Sequence, residues 1–350
     1  MDILLLRPAS DDPSTIDQSL GARLSGQMPA INEDTIVTEE VFQRDDHADL
    51  GRKLAHWRDK ISAVVGTTNV AESTRLGELA AKMNLLCFAA NNNPVVWQGR
   101  RQVFHIGLPT SQTTAAVAAC IARANRRRIL LLHDQTEFQS RVASSMEGAL
   151  REHGMDGRSQ RVSFEEGVQI SREWKPDLIY VIFSSEPKAV RLLRMIRDIS
   201  SGIPTLFGRS LLRESFLESL SDHPGECWFV DMFHRNGYQT AAQSEFFQAM
   251  EANGVKTPTA NHAFGWDGVA HCAKALNAAG GDPSGAIDYL ESGVRLEGAS
   301  GSCCFSPENH NGRFEPGPHT LTRWHRHQLE DVFDRLRVGP PQPIDSTNRH

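Results

Sequence analysis

Short apolar runs alternate with amphipathic segments along most of the chain, and this alternation constrains the fold more than any other feature. The runs 61–65, 85–88 and 129–133 are apolar almost throughout. Between the first two, Leu76, Leu79 and Met83 recur at the spacing of one helix face. Apolar strands separated by such helices are typical of parallel sheets that helices cover on both faces. The sequence therefore predicts an α/β fold.

The length and charge of the chain narrow the class of protein. At 350 residues it exceeds one typical core, so two domains are expected. A net charge of −6 favours no polyanion-binding surface, and nucleic acid is not predicted as a direct partner. The opening segment "MDILLLRPAS" lacks the pattern of a signal peptide and predicts a first strand. As written, the chain is expected in the cytoplasm, or in the periplasm if a leader was removed.

Two polar loops follow neighbouring predicted strands. Residues 67–69 are Thr-Thr-Asn, and residues 90–93 are an alanine followed by three asparagines. In open α/β sheets ligands bind outside the carboxyl ends of the strands, so both loops are predicted to lie on one rim and contact a ligand. The alternative is that they are ordinary turns, since asparagine tolerates left-handed backbone conformations.

Motifs of catalysis and of metal binding are missing from the sequence. It contains no GxGxxG, no GxxxxGK[ST] and no GxSxG. Its six cysteines show neither CxxC nor the Cys/His spacing of a zinc site. We therefore predict no catalytic residue, no metal and no cofactor. A hydrolase that uses the cleft between the domains remains the rival from another class.

Five segments in one order resemble a known family. They are 61–93 ("ISAVVGTTNVAEST" to "CFAANNN"), 103–121 ("VFHIGLPTSQTTAAVAACI"), 128–154, 263–281 ("AFGWDGVAHCAKALNAAGG") and 296–314 ("LEGASGSCCFSPENHNGRF"). The chain resembles the type I periplasmic binding-protein superfamily over about residues 35–325. The similarity is to the branch that contains branched-chain amino-acid, urea and short-chain amide receptors.

This resemblance implies two Rossmann-like lobes with parallel sheets, joined by a three-crossing hinge. The crossings are expected near Asn125, Phe233 and Gly301. The first lobe would span 1–124 plus 236–300 and the second 126–232 plus 302–340, with a disordered tail at 341–350. Such lobes close over a ligand about the hinge. Trp266 and Asp267, which match the family's Tyr-Asp, are expected to start a helix, and a loop is expected to extend to Pro109.

The resemblance also implies a set of ligand-binding residues. In the family's amino-acid receptors a serine after the third strand helps to hold the ligand carboxylate, and Val70 occupies that position here. An acidic side chain binds the ammonium group in those receptors, whereas Arg209 and Ser210 stand at the corresponding place. The predicted contacts are Thr68, Asn69, Val70, Ala90, Asn91, Asn92, Phe138, Ser184, Ser185, Arg209 and Ser210.

These replacements weaken the prediction of an α-amino acid as ligand. Leaving a buried charge without a counter-charge is costly, and amide side chains offer a donor and an acceptor together. A neutral polar ligand such as an amide or urea is favoured, while an amino-acid-like molecule or a carboxylate stays open. The predicted partner is an ABC-type permease or, alternatively, a protein regulated by a cytoplasmic amide sensor. A homodimer and an interaction module without a ligand also stay open.

Overall fold

In the computed structural model, the residues described are 2–28, 31, 35–91, 93–133, 136–161, 164–183, 185–197, 202–220, 225–233, 240–312, 319–325 and 327–333. The strands are β1 Asp2–Pro8, β2 Ile36–Phe42, β3 Ala63–Gly66, β4 Leu86–Ala89, β5 Val103–His105, β6 Arg128–His133, β7 Asp156–Arg161, β8 Leu178–Ile182, β9 Thr205–Phe207, β10 Cys227–Asp231, β11 Arg295–Leu296, β12 Cys303–Cys304, β13 Thr320–His325 and β14 Gln328–Asp331.

The helices follow the strands along the chain. They are α1 Pro13–Gly26, α2 His47–Trp57, α3 Val70–Met83, α4 Thr110–Arg123, α5 Glu137–Glu152, α6 Phe164–Trp174, α7 Glu186–Arg197, α8 Glu214–Ser219, α9 Ala241–Ala252, α10 Ala260–Ala278 and α11 Pro283–Glu291, with 3₁₀ turns at Pro94–Val96 and Arg209–Leu211. None of the described helices is long and apolar enough to cross a membrane.

The chain divides into two compact units. The first contains residues 1–116, 212–214 and 240–318, and the second contains 117–211, 215–239 and 319–350. The first unit is built on a five-stranded sheet in the order β2-β1-β3-β4-β5, and every adjacent pair is parallel. Strands β3 and β4 are buried at every position, as their apolar sequences predict.

Helices α1 and α10 of the first unit pack with their backbones in close approach. An ideal Cβ built on Gly21 would lie 1.9 Å from the carbonyl oxygen of His262. One built on Gly265 would lie 1.9 Å from the carbonyl oxygen of Gln18. Glycine is therefore required at this crossing because any side chain would meet the backbone of the other helix.

The second unit contains a seven-stranded sheet in the order β14-β13-β10-β9-β8-β6-β7. The five strands from β10 to β7 are parallel, while β13 and β14 add an antiparallel edge. Leu131, Met146, Tyr180 and Val230 belong to the apolar core on this sheet. The predicted class, an α/β fold of two lobes with mainly parallel sheets, is confirmed.

Two local predictions were wrong. The segment expected to form a loop up to Pro109 contains the 3₁₀ turn Pro94–Val96 and the strand β5. Trp266 and Asp267 do not start a helix: they lie inside α10, which begins at Ala260. The tail 341–350 lies outside the described residues, and the predicted hinge crossings and lobe boundaries stay predictions.

Candidate functional site

The two polar loops of the first unit are held against each other at the carboxyl edge of its sheet. They follow β3 and β4, which are parallel neighbours. The side-chain Nδ2 of Asn91 donates a hydrogen bond of 2.6 Å to the carbonyl oxygen of Thr68. Its Oδ1 accepts from the backbone N–H of Asn93 at 2.8 Å. Asn91, buried beside Ala90, thus braces both loops. Asn92 lies outside the described residues.

Asn69 caps the helix that leaves the first of these loops. Its Oδ1 accepts from the backbone N–H groups of Ala71 at 2.9 Å and Glu72 at 3.2 Å. Thr67 precedes it with a φ of 41°, and the hydroxyl of Ser73 donates to the Thr67 carbonyl oxygen at 3.1 Å. This local network fixes the turn between β3 and α3, so the groups that remain at its surface are preorganised.

Three polar groups at this turn make no hydrogen bond to any described residue. They are the Thr68 hydroxyl, the Asn69 Nδ2 group and the backbone N–H of Val70. Val70 is 38% exposed and presents apolar surface beside these groups. The first unit therefore offers a few donors next to an exposed apolar side chain.

Glu72 lies directly behind this turn and was not singled out from the sequence. Its side chain is fully buried, Oε1 accepts from the Asp45 N–H at 3.4 Å, and Oε2 has no partner among the described residues. Burial raises the pKa of this carboxyl from its ordinary value of 4.5, against the opposing influence of the Asp45 hydrogen bond and Arg44. Only the helical spacing of its neighbours indicated that it could face inward.

Replacing Glu72 by glutamine is expected to make the stability of the protein less dependent on pH. Because the folded-state pKa is raised, the folded protein holds this proton to higher pH than the unfolded chain does. The contribution of Glu72 is thus fully present below about pH 4.5 and is lost as pH rises through the folded-state pKa. Relative to wild type, Glu72→Gln should gain stability as the pH rises from 4.5 to 7.5.

Urea unfolding of both proteins at several pH values measures this difference. Glu78→Gln on the same helix is the control, since Glu78 is partly exposed and pairs with Arg75 on the surface. A constant difference between Glu72→Gln and wild type across that range would contradict the assignment of a buried, costly carboxylate.

In the second unit, four predicted residues follow the carboxyl ends of the adjacent strands β6, β8 and β9. Phe138, in the first turn of α5, is 49% exposed. Ser185 precedes α7, and its carbonyl oxygen accepts from the Ala189 N–H at 3.0 Å. Ser210 donates through Oγ to the Phe183 carbonyl oxygen at 3.5 Å. Ser184 lies outside the described residues.

Arg209 is the remaining predicted residue of this edge. It is half-buried beside Tyr180, and desolvation lowers the pKa of its guanidinium to about 10. Burial in turn raises the pKa of the Tyr180 hydroxyl to about 12. At the start of α7, the carboxylate of Glu186 accepts a hydrogen bond from the Ser215 hydroxyl at 3.1 Å. The structure thus groups the predicted residues into two edges, one in each unit, and their contact with a ligand stays a prediction.

A separate cavity in the first unit has no predicted contact residue in its wall. Its volume is about 610 Å³, and Trp97, Arg101, Glu291 and His310 are among its lining residues. Glu291 joins two of these side chains: it accepts from Arg101 at 2.6 Å and lies 3.0 Å from His310 Nε2. No cluster of three or more His, Cys, Asp or Glu side chains in the described part of the chain could hold a metal ion.

Comparison with family models decides the relationship of this chain. The model of the periplasmic binding protein family (Peripla_BP_6) matches residues 40–315. The chain belongs to the periplasmic binding protein family. This confirms the resemblance inferred from the five sequence segments. Comparison with curated protein sequences found no match.

Solved structures of periplasmic binding proteins share the fold at low sequence identity. A leucine-binding protein from Thermotoga maritima has a TM-score of 0.74 and 16% identity, over 95% of this chain and 97% of that one. A solute-binding protein from R. palustris in complex with benzoate has a TM-score of 0.74 and 16% identity, with 95% of each chain covered. A branched-chain amino-acid transporter substrate-binding protein from Streptococcus pneumoniae in complex with isoleucine has a TM-score of 0.73 and 17% identity, over 95% and 99%.

Proposed function

We propose that this chain is a non-enzymatic solute-binding protein that takes a small polar molecule and delivers it to an ABC-type permease. Membership of the periplasmic binding protein family supports the binding role. The observation that carries the proposal is the Asn91 brace between the loops after β3 and β4. Such a brace keeps the surrounding donors in place before a ligand arrives, which lowers the entropic cost of binding.

The ligand class is proposed from the side chains at the two edges. The first unit offers the Thr68 hydroxyl and the Asn69 Nδ2 group, and the second offers serine hydroxyls and Arg209. These groups suit an amide, urea or an amino-acid-like molecule that can both donate and accept hydrogen bonds. Proteins of similar structure have been solved in complex with leucine, isoleucine and benzoate. Small polar molecules with an apolar part should therefore be included in the ligand screen.

A sensor that controls a partner protein is the second candidate. All six cysteines are free thiols in the structure, and burial raises the pKa of Cys87 to about 12. Unreactive buried thiols are typical of proteins in reducing compartments. Genes for a permease and an ATPase beside this one would support transport, whereas a gene for a transcription regulator would support sensing.

A thermal-shift screen against amides, urea, amino acids and small carboxylates tests the proposed binding. A ligand at one hundred times its Kd should stabilise the protein by about 2.7 kcal/mol, which raises the melting temperature by several degrees. We expect at least one amide or urea to do so and to be recovered chemically unchanged. Conversion of the compound would support the hydrolase instead, and a panel without any shift would contradict a small polar ligand.

A pair of threonine variants links the shift to the candidate site. Thr68→Val should reduce the ligand-induced shift because it removes a hydroxyl that has no partner among the described residues. Thr38→Val, which removes a hydroxyl from the edge strand β2 outside both loops, should leave the shift unchanged. Equal effects of the two substitutions would argue that the ligand binds elsewhere.

A further inference from the structure

We propose that the amino edge of the sheet in the second unit binds an acidic segment of a partner protein. This inference goes beyond the proposed ligand binding and does not depend on it. Strands β6, β8 and β10 run parallel, so their amino ends share one edge, opposite the edge that carries Ser185 and Ser210. Five basic residues near these amino ends form a basic edge: Arg123, Arg126, Arg127, Arg128 and Lys175.

The charges of the basic edge are not neutralised by the described residues around them. None of its five side chains forms an ion pair with a described carboxylate. Asp177 accepts instead from the backbone N–H groups of Arg127 and Arg128, both at 3.0 Å. Glu226 lies 4.0 Å from Arg323. In a chain with a net charge of −6, this local excess of positive charge favours an acidic partner.

Aromatic rings hold three of the guanidinium groups in place. The stacked pairs, with the distance from the guanidinium carbon to the ring centre, are Arg123 on Phe333 (4.2 Å), Arg126 on Trp228 (5.3 Å) and Arg128 on Trp174 (5.2 Å). Such contacts restrict long side chains before a partner arrives, which lowers the entropic cost of binding. A guanidinium held over a ring keeps N–H groups at its rim that can bind a carboxylate through two parallel hydrogen bonds.

Two buried donors within this edge lack an acceptor. They are the Nε atom of Arg126 and the indole Nε1 atom of Trp228, and neither has a hydrogen-bond partner among the described residues. Trp228 is only 3% exposed. A buried donor without an acceptor is costly. A carboxylate that reached this pair would supply acceptor oxygens, so we expect the closest contact with the partner here.

A short acidic segment fits this edge better than a nucleic acid or an anionic membrane. Asp156, Asp177 and Glu226 lie at the same edge, and the chain as a whole carries an excess of negative charge. A long or flat polyanion would be repelled by these groups, since charges within a Debye length interact. A flexible segment can place its carboxylates on the arginines and avoid the three acidic side chains.

Binding of an acidic peptide to the whole protein tests the proposal. The probe is fluorescein-labelled octaglutamate, followed by fluorescence anisotropy. We expect saturable binding that weakens as the salt concentration rises, and none with a labelled peptide of glycine and serine. Absence of octaglutamate binding at low salt would overturn the proposal. Tighter binding to a short DNA duplex or to phosphatidylserine vesicles would overturn the choice of an acidic protein segment.

Two double variants assign the binding to this edge. Arg127→Gln with Lys175→Gln removes two exposed charges whose side chains contact no described residue, so the fold should be kept. We expect octaglutamate to bind this variant about fivefold more weakly, as for the loss of exposed ion pairs. Arg52→Gln with Lys82→Gln in the first unit makes the same change in net charge and is the matched control. Its affinity should match that of the wild type, and equal weakening in both double variants would overturn the proposal.

Discussion

Replacing Gly265 by alanine is expected to lower the free energy of unfolding by about 3 kcal/mol. The new Cβ would lie 1.9 Å from the Gln18 carbonyl oxygen and 2.9 Å from the Ala22 backbone nitrogen. Both contacts are to the backbone of α1, so no side-chain rotation can relieve them, and the two helices must move apart. Urea unfolding followed by circular dichroism measures the loss.

Gly51→Ala in α2 is the matched control for this change. An ideal Cβ at Gly51 meets nothing within 4 Å, so alanine there should stabilise the protein by roughly 0.5–1 kcal/mol through its higher helix propensity. If Gly265→Ala were as stable as Gly51→Ala, the close crossing of α1 and α10 would be incorrect.

Replacing Asp267 by asparagine is expected to cost about 3 kcal/mol of stability. The carboxylate of Asp267 is fully buried inside α10. It accepts from the backbone N–H groups of Ala299 at 2.7 Å and Ser300 at 2.8 Å, and from the Ser300 hydroxyl. Asparagine would turn an NH₂ group toward one of these donors, which leaves buried N–H groups without an acceptor.

The same substitution at Asp282 provides the comparison. Asp282 caps α11 at the surface and accepts from the Gly285 N–H at 2.8 Å. Asparagine is as good an N-cap as aspartate, so Asp282→Asn should change the unfolding free energy by less than about 0.5 kcal/mol. Similar losses for the two variants would show that Asp267 does not hold Ala299 and Ser300 in the way described.

The fold could be predicted from the sequence wherever burial leaves a periodic pattern. The helix face predicted from Leu76, Leu79 and Met83 belongs to α3, and the apolar run at 129–133 lies within β6. Strand β5 was not predicted because its three residues are too few to show a period. Strand β7 was not predicted because its sequence, DGRSQR, is polar. It joins the sheet through its backbone pairing with β6.

The candidate site, too, could be predicted from the sequence only in part. The rule that ligands bind at the carboxyl ends of parallel strands located the loops after β3 and β4. It could not show which side chains are consumed by the fold, such as Asn91 between the loops and Asn69 as a helix cap. Nor could it identify Glu72, since a glutamate at a helix start is usually solvated and its burial depends on the loop around Asp45.

A crystal structure of the protein with the tightest-binding amide of the panel tests the central claim most directly. We predict that a polar atom of the ligand lies within about 3.2 Å of the Val70 backbone nitrogen or the Thr68 Oγ1. The apolar part of the ligand should contact the Val70 side chain. A ligand bound away from the loops 67–69 and 90–93 would contradict it.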